Sequence, residues 1–202
     1  MDIYQVLKNW SIDMPDMEHL AYDCIVHLYE SKEKNIFYID KLPIPVGEDG
    51  DAKIDQIDID YQQVIDGKAL KDDFIKVESK YRNVINKLWI YNKTFVEFVL
   101  PGLYFEKPDI VIDNNYKEYL SELDGHTTKE GRLFEVNKKK KLEFWLQLGM
   151  RDAISVAFYL EDYKAIIVPS WSCFIMYLHD IKYYQIIKDI VISEGLFLRH
   201  RL

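Results

Sequence analysis

Residues 153–178 read AISVAFYLEDYKAIIVPSWSCFIMYL. The stretch divides into three short apolar runs, 153–160, 164–168 and 172–178, rich in β-branched and aromatic residues, as strands are. Glu161-Asp162-Tyr163 separates the first two with a polar break of hairpin length. Pro169 cannot donate to a ladder, so it marks a strand end or an edge. Two more strands are expected just upstream, over 132–137 and 142–148, with Lys138 to Lys141 as a charged turn before the second. Downstream, Asp180 caps a helix carrying Tyr183, Ile186, Ile187, Ile190 and Val191 on one stripe, and Gly195 stands at its C′ position. A last strand follows over 196–200. Strands, then helix, then strand is the order of an α+β fold: a mostly antiparallel sheet with helices packed on one face.

Working back towards the N-terminus, the clearest helix covers 68–91. Leu70, Phe74, Val77, Tyr81, Val84, Ile85 and Leu88 recur at helical spacing, which predicts a helix lying across the sheet. Strands are expected over 94–102 and 109–113, with a helical turn over 116–123. A strand is expected at 35–40, and one or two helical turns over 2–10. Asp16 starts a second amphipathic helix, with Met17, Leu20, Ala21, Cys24 and Leu28 on its apolar stripe to about Glu30. Over 53–60, Ile57 and Ile59 alternate with Asp58 and Asp60, as in an edge strand with one wet face.

The 202 residues are enough for one domain, with 1–66 as an acidic N-terminal subdomain, and enough to bury a core without disulfides or metal. Fifteen Tyr, ten Phe and four Trp suit strand and core packing first and a contact surface second. The two cysteines, Cys24 and Cys173, sit in apolar runs and read as buried free thiols. No basic segment followed by an apolar stretch opens the chain, and no apolar run approaches the roughly twenty residues of a membrane helix. A soluble cytoplasmic protein is the expectation. The sequon Asn92-Lys93-Thr94 is read as chance.

Charge is unevenly spread. Of the net −8, residues 1–66 hold fifteen acids against five lysines, a net of −10, and residues 67–202 hold nineteen acids against twenty-one bases, a net of +2. That balance argues against general nucleic-acid binding, which needs a basic footprint. The densest acid is EDGDAKIDQIDID at 48–60. As an EF-hand loop starting at Asp49 it fails three times: Lys53 stands where an oxygen ligand belongs, Ile54 where glycine makes the turn, and Asp60 where a longer glutamate must reach. Asp49, Asp51, Asp55, Asp58 and Asp60 are instead candidate partner-binding residues.

Catalytic chemistry finds little footing. His19, Asp23, His27 and Glu30 share a helical stripe, but His19 and His27 stand about 12 Å apart along a helix and cannot share one ion. Ser170, Ser172, Cys173 and His179 lack a nucleophile-elbow pattern, and no phosphate-binding glycine loop is present. No catalytic, metal or cofactor residue is assigned, and no stretch carries residues diagnostic of a named family. The expected function is a binding module, such as an immunity or antitoxin-type inhibitor, with an acidic, aromatic-rich surface for a basic protein partner. The alternatives are a small metal-assisted hydrolase using His19/Asp23 or Asp23/His27, and a homodimer paired through an edge strand.

Overall fold

The computed structural model describes residues 3–12, 35–43, 61–99, 112–121, 133–170 and 173–200. Within them, seven strands pair as one antiparallel sheet: β1 (Ile36–Asp40), β2 (Thr94–Val99), β3 (Phe134–Glu135), β4 (Ser155–Leu160), β5 (Ala165–Ser170), β6 (Cys173–Leu178) and β7 (Phe197–His200). Their order is β3-β2-β4-β5-β6-β1-β7. Five α-helices accompany them: α1 (Ile3–Asn9), α2 (Tyr61–Ile65), α3 (Lys71–Ile90), α4 (Lys139–Met150) and α5 (Tyr184–Ser193). Short 3-10 turns occupy Asn114–Tyr119 and Ile181–Tyr183. The fold class is α+β.

The meander of β4, β5 and β6 forms where the apolar runs predict it. Leu160 pairs with Ala165 to close the first hairpin, and Ser170 with Cys173 to close the second. Lys164 adopts a left-handed backbone (φ 49) to finish the first turn. Pro169 lies beyond Ile167, where pairing with β4 ends, so its missing N–H costs the centre of the sheet nothing.

Both faces of this sheet are covered. Phe37, Ile39, Val156, Phe158, Ile167, Phe174 and Met176 pack into one cluster with Tyr81, Val84 and Leu88 of α3, Leu142 and Trp145 of α4, and Ile187 and Val191 of α5. The alternate strand residues Ile36, Ala157, Tyr159, Ile166 and Tyr177 pack on the other face with Val6 and Leu7 of α1 and with Trp10. Two-sided burial is why the strands read as unbroken apolar runs rather than alternating ones. Strand β1 lies between β6 and β7, so part of the acidic first third is built into the sheet.

Helix α3 matches its stripe from Phe74 onward, with Phe74, Tyr81, Val84, Ile85 and Leu88 buried, whereas Leu70, expected on the stripe, is the exposed N-cap residue. Helix α5 ends in a Schellman motif: Gly195 takes φ 71 and donates to Ile192, while the N–H of buried Leu196 reaches Val191. Asp180 accepts from the Lys182 N–H and so starts the turn that leads into α5.

Two elements depart from expectation. Residues 142–148 are not a strand but the body of α4, and Lys139 to Lys141 are its first turn rather than a charged turn before a strand. Leu142, Phe144, Leu146 and Leu148 alternate with Glu143 and Gln147, which mimics a strand. The helix produces the same pattern because it is buried almost all round, Trp145 and Gln147 included. The strand expected over 132–137 shrinks to Phe134–Glu135 for the same reason, since the chain turns away to begin α4. The helix expected over 16–30, the strand over 53–60 and most of the strand over 109–113 lie outside the described residues.

Candidate functional site

Helices α3 and α4 run antiparallel with a polar seam between them. Glu78, Arg82 and Asn86 follow one another every four residues on α3, and Glu143, Gln147 and Arg151 do so along α4 to its C-terminal cap. At one end Arg151 meets Glu78; at the other, Asn86 donates to Glu143 at 3.1 Å. The two contacts are eight residues apart on each helix, roughly 12 Å along the axis.

Arg151 is 4 % exposed and Glu78 3 %. The guanidinium grips Glu78 with both prongs, Nε to Oε1 at 2.8 Å and Nη2 to Oε2 at 2.9 Å. Nη1 donates to Asp113 at 3.1 Å. The ring of Tyr61, from α2, lies 4.8 Å from the guanidinium carbon and edge-on to Phe74. Four elements therefore converge on one cation. This arrangement satisfies a buried charge in the way its desolvation requires.

The segment carrying Asp113 and Tyr116 closes the seam. Gln147 donates to Asp113 at 2.7 Å and accepts the Asp113 N–H at 2.9 Å, while the Tyr116 hydroxyl donates to Glu143 at 2.9 Å. Burial pushes the Asp113 carboxyl up, but Arg151, Gln147 and Lys71 together hold it below the usual aspartate value. Burial and then the neighbouring Glu143 push the Tyr116 phenol up to about 12. Chemically the seam is a clamp: Arg151 is answered by Glu78 and Asp113, and Glu143 by Asn86 and Tyr116.

The residues singled out in the sequence fare differently. Asp49, Asp51, Asp55, Asp58 and Asp60 all lie outside the described residues, as do His19, Asp23, His27, Glu30, Cys24 and Ser172. Among the described residues, no group of three His, Cys, Asp or Glu could hold a metal. Cys173 is a half-buried thiol, not the buried one expected, at the start of β6, and His179 follows the end of that strand, roughly 20 Å away at strand rise, so the two form no dyad. Asn92 is 7 % exposed, and its amide binds the Leu88 carbonyl and the Tyr163 N–H, leaving no acceptor for a glycan. Trp10, Tyr61, Tyr81, Trp145, Tyr159, Tyr163 and Tyr177 are core residues. The aromatic enrichment is in large part a packing property.

Sequence reasoning missed the seam because each member is polar and unremarkable alone. The signal that finds it is the i, i+4, i+8 spacing of Glu143, Gln147 and Arg151, visible once 139–150 is taken as helix. Among the described residues no helix is long and apolar enough to cross a membrane. Compared with known proteins, the chain matches no protein-family model, no curated protein and no solved structure.

Proposed function

We propose that this chain is a cytoplasmic protein-binding module that captures a basic protein partner through acid carried in its first third. An immunity or antitoxin-type inhibitor is the concrete form. The supporting observation is the partition of charge. Residues 67–202 are close to neutral, and among the described residues several of their acids are answered internally: Glu78 and Asp113 by Arg151, Glu194 by Lys87, Asp180 by Lys182. The unbalanced charge belongs to residues 1–66, with EDGDAKIDQIDID at its centre. Such a field speeds encounter with a cationic surface and gives the complex a steep salt dependence.

The test is to isolate the partner that co-purifies and to measure its capture by wild type and by the variant Asp49→Lys, Asp51→Lys, Asp55→Lys, Asp58→Lys, Asp60→Lys. The expected result is a basic partner whose association rate drops at least tenfold in the variant and loses its salt dependence. A neutral or acidic partner, or equal capture by the variant, would overturn the reading.

A further inference from the structure

We infer that the chain carries a second docking surface of opposite sign, at the junction of α3, β2 and α4, which takes an acidic protein segment bearing one apolar side chain. The indole N–H of Trp89 donates to the Val136 carbonyl at 2.8 Å and fastens the end of α3 to the link between β3 and α4. Beside this bond a depression of about 380 Å³ opens, lined by Trp89, Ile90, Lys93, Glu135, Val136 and Asn137. Its wall includes Ile90, which is 69 % exposed, and the next residue, Tyr91, is 63 % exposed. A large apolar side chain left in water at the wall of a depression has the composition of an anchor point.

The rim is basic. Lys138 and Lys140 follow directly from Asn137 and are exposed, and no ion pair among the described residues engages them. Lys139 has only a long partner, Glu143 at 3.7 Å, and Lys93 reaches Glu161 at 3.6 Å while lying over the Phe95 ring. These lysines crowd the start of α4, where no acid stands in the first turn and no side chain caps the helix. Positive charge at the positive end of a helix opposes the macrodipole, so the arrangement gains most when an anion is near. The anion's source follows from the walls. Aliphatic Ile90 and Val136, with a Trp whose N–H is already engaged, offer a socket for a side chain rather than a platform for a stacked base. This surface uses none of the acidic residues of the first reading, so either reading stands or falls without the other.

The test is fluorescence anisotropy with a labelled peptide of Asp and Glu around one central Leu. Comparison probes are the same peptide with Ala at the centre, its counterpart with Lys for every acid, and a single-stranded oligonucleotide of equal charge. The Leu-centred acidic peptide should saturate, weaken as salt rises, and bind about tenfold better than the Ala-centred one. Ile90→Ser should remove that preference, and Lys138→Glu with Lys140→Glu should weaken binding about tenfold and flatten the salt dependence. All three positions are exposed, so the variants keep the wild-type circular dichroism spectrum. Failure to saturate, equal binding of the Ala-centred peptide, tighter binding of the oligonucleotide, or folded variants that bind like wild type would each overturn the proposal.

Discussion

Arg151 and Glu78 form a two-pronged ion pair with both side chains out of water, linking the C-terminal cap of α4 to the first half of α3. Desolvating two charges costs several kcal/mol each, and their attraction does little more than offset it. The large penalty comes from removing one partner. Arg151→Met should destabilise the protein by about 3–5 kcal/mol, and adding Glu78→Leu should recover most of that loss. Urea unfolding of the single and double variants measures both; a double variant no more stable than Arg151→Met would refute the account.

Asp113 gives the seam a pH signature. Its carboxyl is held below the ordinary value of 3.8, so the folded state favours the ionised form. The stability this contributes is fully present above about pH 3.8 and is lost as pH falls through the lower folded value. Asp113→Asn should therefore destabilise at neutral pH and shrink the drop in stability below pH 4. Melting curves from pH 7 to pH 2, taken as a difference between the two proteins, read this directly.

Two left-handed residues should respond in opposite directions. Lys164 holds φ 49 at the β4–β5 turn, a conformation glycine adopts freely, so Lys164→Gly should stabilise by roughly 0.5–1 kcal/mol. Gly195 holds φ 71, and an added Cβ would meet nothing nearer than the Lys80 Nζ at 3.5 Å. The cost of Gly195→Ala is therefore backbone strain of about 1 kcal/mol rather than a clash. Denaturant midpoints should move up for the first and down for the second.

At the start of α4, Lys138 occupies the N-cap position without making a cap bond. Lys138→Asp would supply the missing acceptor and reverse the charge at the helix end, adding about 0.5–2 kcal/mol. In a chain of 202 residues that raises Tm by a few degrees. The same substitution should weaken the acidic peptide, so stability and docking would trade against each other at one residue.

The meander, α3, α5 and β1 were legible because each follows one pattern: an apolar run, a helical stripe, a cap. Helix α4 was not, because near-complete burial erases the wet face that gives a helix its period. Composition could have corrected the reading. KKKKLEFWLQLGM contains no Val, Ile or Thr and is made largely of good helix formers. The seam was hidden one step deeper, since Glu78 and Arg151 are far apart in the chain and only the antiparallel docking of two helices joins them. The five candidate aspartates rest on charge density alone, and charge density predicts a sign of partner, not a geometry.

The place of β1 in the sheet has a temporal consequence. Ile36 pairs with Tyr177 and Phe37 with His200, so neither neighbour of this strand exists until much of the chain has been synthesised. At 5–20 residues per second, the ribosome leaves IFYID without its neighbours for roughly 7–30 seconds. The segment emerges early, is apolar, and is flanked by Lys34 and Lys41. Those flanking charges are where a growing chain would need protection from pairing with the wrong neighbour.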